Sequence, residues 1–131
     1  MTRTLTCNGH EARVALLGLD DTLGDAIAQS LSRDGCAMTR APCATSAVPR
    51  LCECCPDVIV LETRTSDMSA FGVAQAIRQN RDLDHARLLV LQNSGRAIDK
   101  RRARAMGADG FLSMPFPMSS LRIEVGRLLE A

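Results

Sequence analysis

Three short aliphatic runs constrain the fold of this chain most: Val14–Leu19, Val58–Leu61 and Leu88–Leu91. None alternates apolar with polar residues, so none suits a strand with one face in water. Each reads as a strand covered on both faces, the pattern of a parallel sheet. Cys36–Ala41 and Gly110–Ser113 are two weaker strand candidates. Helical patterns lie between them. Leu23, Ile27 and Leu31 recur at helical spacing behind a cap at Asp21 or Thr22, and Gly35 ends that helix. Residues 46–55 form a short helix that tolerates Pro49 in its first turn. Phe71, Ala74 and Ile77 mark a third helix, residues 96–106 a fourth, and Leu121, Val125, Leu128 and Leu129 one stripe of a fifth.

Strand and helix thus alternate five times. Right-handed crossovers turn such a chain into a doubly wound, five-stranded parallel sheet with helices on both faces. Its length of 131 residues suits one domain, residues 12–131, preceded by a flexible tail over residues 1–11. Aromatic residues are 2% of the chain, so Leu, Val, Ile, Ala and Met must fill the core. Ligands of doubly wound folds bind at the carboxyl ends of the strands, which is where chemistry would sit.

Several function classes are disfavoured. A net charge of +1 and the lack of interleaved aromatics argue against nucleic acid. No apolar run reaches membrane-spanning length, and the first ten residues lack the apolar segment of a secretory signal. A cytoplasmic, stand-alone domain without an output domain is expected. Six cysteines are many for this size, but no export signal favours a disulfide framework. Cys52, Cys54 and Cys55 have no second pair or nearby histidine to complete four metal ligands, so free thiols are expected. His10 and His85 fall in the tail and a loop, tied to no nucleophile or metal.

The run Gly107-Ala108-Asp109-Gly110-Phe111-Leu112-Ser113-Met114-Pro115-Phe116 is the most specific mark. Together with Pro56-Asp57-Val58-Ile59-Val60-Leu61, Asp67-Met68, Phe71 and Ile77-Arg78, it resembles the response-regulator receiver domain, in particular the chemotaxis-regulator kind. The resemblance covers about residues 12–131. It implies the flavodoxin-like (βα)5 fold and a role in two-component signalling or a phosphorelay, of the bacterial type. It also implies a phosphorylation site: an acceptor aspartate, an acid pair holding Mg²⁺, a hydroxyl, and a lysine before proline that pairs with the phosphoryl group.

This chain departs from that pattern at each of those positions. Glu62 stands at the acceptor, Gly18 and Leu19 at the acid pair, Gln92 at the hydroxyl and Met114 at the lysine. Only Phe111, at the aromatic switch position, stays within it. A methionine fills space but cannot pair with a phosphoryl group, and a glutamate misplaces its carboxylate by a methylene. The expectation is a degenerate pseudo-receiver that is not an enzyme and holds no cofactor, Mg²⁺ included. One alternative keeps the switch: Asp20 and Asp21, offset from the expected acids, bind Mg²⁺ beside Glu62 if the first helix is one or two residues shorter than the family's. Otherwise they cap that helix. Glu62 is either a carboxylate bonded to backbone or to Gln92, or a built-in mimic of the phosphorylated state to which Gln92 donates.

Partner contacts in the resembling family use the face made by the fourth helix, fifth strand and fifth helix. Here the fourth helix carries Arg96, Lys100, Arg101 and Arg104 on one side, with Ile98, Ala105 and Met106 on the other. Arg102 falls inside the apolar arc, without explanation. The arginines form a solvated face, a docking patch for an acidic partner, or a site for a phosphate-bearing ligand such as a cyclic nucleotide. Ile123 points away from the fifth-helix stripe as a candidate interface anchor. The expected function is a protein–protein interaction adaptor. Its partner would be a histidine kinase, a response regulator, another adaptor target, or a second copy of this chain through the same face.

Overall fold

The computed structural model describes residues 6–7, 10–63, 68–92, 101 and 104–130. Its main sheet has five parallel strands: β1 (Arg13–Leu17), β2 (Ala37–Ala41), β3 (Val58–Thr63), β4 (Arg87–Gln92) and β5 (Gly110–Ser113). Their spatial order is β2-β1-β3-β4-β5. Helices α1 (Asp21–Arg33), α2 (Val48–Cys54) and α3 (Met68–Gln79) follow the first three strands, and a C-terminal helix spans Met118–Glu130. This is the doubly wound architecture expected from the sequence. The order reverses direction at β1 and β3, and a doubly wound fold opens its ligand crevice at that switch point.

The unalternating strand runs now have a physical reason. Successive side chains point to opposite faces, and both faces are dry. Ala15, Leu17, Ile59, Leu61, Leu88 and Val90 meet Leu51 of α2 and Val73, Ala74 and Ile77 of α3. Val14, Leu16, Val58, Val60, Leu89 and Leu91 meet Ile27 and Leu31 of α1 and Leu121, Val125 and Leu128 of the C-terminal helix. Met106 closes the first core from the region of the expected fourth helix.

Several boundaries differ from expectation. The first strand ends at Leu17, because Gly18 leaves extended geometry (φ +69). The third and fourth strands run on to Thr63 and Gln92, since the ladder between them continues through both residues. Cys36 lies before β2; its N–H donates to Leu31 O (3.0 Å), closing the end of α1. A 3-10 turn, Thr45–Ala47, leads into α2, whose first turn holds Pro49 as expected. The segment read as a loose tail carries a two-residue antiparallel ladder, Thr6–Cys7 against His10–Glu11. Most of the expected fourth helix lies outside the described residues; Arg101, Arg104 and Ala105 are helical. Among the described residues no helix is long and apolar enough to cross a membrane.

Polar residues fasten the strand entrances. Asp57 accepts from Arg13 N (2.9 Å), tying β3 to β1. Asp109 accepts from Leu88 N (2.8 Å) and from Arg78 Nη2 (2.7 Å). The same guanidinium donates to Gly107 O (3.2 Å) and Ala86 O (3.0 Å). Gly107 has φ +85, and a Cβ there would stand 3.0 Å from Arg78 Cγ. The Gly-Ala-Asp turn is therefore a cradle for one arginine. On the other face, Arg122 donates through Nε and Nη2 to buried Asp34 (2.6 and 2.9 Å), clamping the C-terminal helix to the end of α1. That contact raises the Arg122 pKa, through its hydrogen bond to Asp34 first and the charge of Asp34 second.

Asp109→Ala removes both bonds at the cradle and should lower stability by about 1–3 kcal/mol; Asp109→Asn, which keeps an acceptor, should cost less. Urea unfolding of the two variants checks the ranking.

Burial, then the charges of Asp34, Glu11 and Asp57, pushes the Cys36 thiol from 9.0 up to about 11. The folded protein thus retains a proton that the unfolded chain loses first. The associated stability is fully present below about pH 9 and lost as the pH rises to about 11, roughly 2–3 kcal/mol in all. Tyrosine is absent and Lys100 is the sole lysine. The urea midpoint should fall across it in the wild type, and fall less in Cys36→Ala.

Candidate functional site

The carboxyl ends of β1, β3, β4 and β5 form the mouth of the sheet. Leu17 pairs with Leu61, Glu62 with Leu91, and Gln92 with Ser113, while Met114 N donates to Gln92 O (2.6 Å). Gly18, Leu19, Glu62, Gln92 and Met114 therefore gather at one end of the sheet, as doubly wound topology dictates. Met114 precedes Pro115 through a cis peptide bond and is half-buried.

Gly18 is fixed by two constraints. Its φ of +69 disfavours any residue with a Cβ, and a Cβ built there would lie 2.5 Å from Cys43 Cβ. Its N–H donates to Ala41 O (3.0 Å), bringing the end of β1 against the loop after β2. Side-chain space that an acid would need is thus occupied by Cys43. Leu19, half-buried, packs against the core beneath α1 and the C-terminal helix.

Asp20 is the N-cap of α1: its Oδ1 accepts from Leu23 N (2.7 Å) and its carbonyl from Gly24 N (2.8 Å). The cap thus falls one residue before the sequence-based choice of Asp21 or Thr22. Asp21 is exposed in the first turn, where a negative charge suits the helix dipole. α1 begins directly after this cap and runs from Asp21 to Arg33. Among the described residues, no three His, Cys, Asp or Glu side chains gather in a way that could hold a metal ion.

The side chains of Glu62 and Gln92 do not bond to each other, one of the alternatives the sequence left open. Both polar atoms of the Gln92 amide are buried without a hydrogen-bond partner among the described residues. Strand alternation explains this. Glu62 is in register with Leu91, whose side chain faces α1 and the C-terminal helix. Gln92, one residue on, takes the face of Val90, toward α2 and α3. The sequence placed both at the mouth, but the pleat separates them.

Of the basic residues, Arg96 and Lys100 lie outside the described residues. Arg101 and Arg104 are exposed. The Arg104 guanidinium carbon stands 6.0 Å from the centre of the Phe111 ring, at the outer limit of a cation–π contact. Phe111 is half-buried against the α2–α3 core, so this aromatic ring joins the core to a surface charge. Ile123 is 72% exposed on the C-terminal helix. Sequence reasoning missed Cys43 as the neighbour of Gly18, and missed the Arg78–Asp109 and Arg122–Asp34 pairs. Of these, Asp109 carried a signal as part of the Gly-Ala-Asp motif and Arg78 as part of the Ile77-Arg78 mark; the others carried none.

A parallel five-stranded sheet in this order is the flavodoxin-like arrangement. The chain is similar to the chemotaxis response regulator CheY4 of Vibrio cholerae, at 21% identity and a TM-score of 0.80, covering 90% of this chain and 98% of that one. A response regulator from Desulfuromonas acetoxidans gives 20% identity and a TM-score of 0.79, covering 91% of this chain and 97% of the other. The signal receiver domain of a signal transduction histidine kinase from Syntrophus aciditrophicus gives 21% and 0.77, covering 91% and 90%. No protein-family model and no curated protein matches the chain. At these identities the likeness shows the fold.

Gly18→Ala should destabilise the domain by about 1–3 kcal/mol, from left-handed strain plus overpacking against Cys43. Gly18→Asp should be similarly destabilised and acquire no Mg²⁺ affinity, as calorimetric titration would check.

Proposed function

We propose that this chain is a receiver-fold interaction module of two-component signalling that works without phosphorylation and without Mg²⁺. The observation that carries the reading is the close packing of Gly18 on Cys43, which leaves no room for an acid where the family's chemistry needs one. Three other features support it. Asp20 is engaged as a helix cap. Met114 brings no charge to the lysine position. Gln92 offers an amide directed to the opposite face from Glu62. A phosphoryl group on Glu62 would meet neither divalent cation nor ammonium, and phosphoryl transfer depends on such charge compensation.

The module binds a signalling protein, such as a histidine kinase, a response regulator or an adaptor target. The contact face lies around the C-terminal helix, Phe111 and the exposed arginines. Ile123 would be its apolar anchor, with Arg101 and Arg104 favouring an acidic partner. The chain catalyses no reaction in this reading.

An amide NMR titration with Mg²⁺ and then beryllofluoride tests the proposal. Resonances of Leu17–Asp21, Glu62 and Gln92 should stay in place, and acetyl phosphate should add no mass to the protein. Shifts clustered at those residues would establish a working phosphoryl site and sink the reading.

A further inference from the structure

Four of the five described cysteines stand in or near α2: Cys43, Cys52, Cys54 and Cys55. Two of them are brought together by the way this helix ends. Cys55 takes a left-handed backbone (φ 49, ψ 59), yet its N–H still donates to Leu51 O (2.9 Å), so it stays seated on the last turn. Its Sγ turns back and donates to Cys52 O (3.2 Å). The sulfur of Cys55 thus lies over the backbone of Cys52. Cys55 is exposed, and Cys52 is half-buried at the edge of the α2–α3 core.

Helix geometry selects this pair. Positions three apart lie roughly 60° apart around the axis, whereas Cys52 and Cys54 are separated by roughly 160°. Residues three apart have Cβ atoms about 5–6 Å from each other, and a disulfide needs about 3.5–4.5 Å. Closure therefore takes a small movement at the helix end, which Cys55, already outside the regular helix, can supply. A bond between neighbours Cys54 and Cys55 would have to close a tight ring over one peptide unit. Cys36, buried and held protonated, is a poor nucleophile.

We propose that Cys52 and Cys55 are a modification site, a thiol pair that a hydroperoxide converts to a disulfide. The exposed Cys55 thiolate attacks one peroxide oxygen. The S–O bond forms, the O–O bond breaks, and the leaving oxygen takes a proton as water or alcohol. The Cys52 thiolate then attacks the Cys55 sulfur; the S–S bond forms and the S–O bond breaks, releasing the hydroxyl as water. Both thiol protons leave in the two product molecules, and the two electrons lost by the sulfurs reduce the peroxide. Oxidation draws the Cys52 sulfur away from its core contact, so the bond is felt at the α2–α3 packing.

The test uses the full chain, reduced and then exposed to limiting hydrogen peroxide, with trypsin digestion and fragmentation of the peptide spanning residues 51–64. That peptide should lose two hydrogens through an internal bond. The bond should persist in Cys54→Ala and vanish in Cys55→Ala. In Cys52→Ala, a sulfenic acid at Cys55 should be trapped by dimedone. Predenaturing the chain in urea should abolish this selectivity. A bond that survives Cys55→Ala, one that requires Cys54, or oxidation only to intermolecular dimers would overturn the proposal.

Discussion

Everything in this domain depends on a sheet that water reaches on neither face. Backbone N–H and C=O groups inside β1, β3 and β4 have no solvent to turn to, so each must be met by a neighbouring strand. That requirement fixes register, and register fixes which side chains each core receives. Two aliphatic cores result, interleaved residue by residue along the same strands. Polar residues are then restricted to the strand ends, and the two ends are used differently.

At the amino ends, carboxylates do structural work. Asp57 and Asp109 receive backbone donors at the start of β1 and β4, and Arg78 fills the turn before β5. Such charge-assisted bonds are strong where water is partly excluded. At the carboxyl ends, the residues are a glycine in a left-handed turn, a capping aspartate, a glutamate, a buried amide and a methionine. Doubly wound folds can host ligand chemistry at that end; here the glycine packs on Cys43 and the aspartate caps α1. The scaffold does not require the reaction, since its stability comes from the cores and from the opposite end.

The fold was legible because the doubly buried strands leave an unambiguous mark, and because a proline in a first turn and a glycine before β2 delimit helices by steric rules. Val14–Leu19 was read too long at its end for a simple reason: apolarity does not reveal where φ changes sign, and Leu19 is apolar on either side of Gly18. The site was legible in place but not in pairing. Glu62 and Gln92 both mark strand ends, yet the pleat that sends them to opposite faces depends on which residue of β4 stands beside Glu62. That register is set by contacts distant in sequence. Long-range pairs such as Arg122 with Asp34 leave no local trace at all, and the Cys43–Gly18 contact joins residues on separate loops.

The parting of Glu62 from Gln92 has a further meaning. The end of the sheet has two faces with the strand backbones between them. One faces α1 and the C-terminal helix, the other α2 and α3. A substitution on one face meets that face's own helices first. Change on one face of this end of the sheet can therefore be met without repacking the other face.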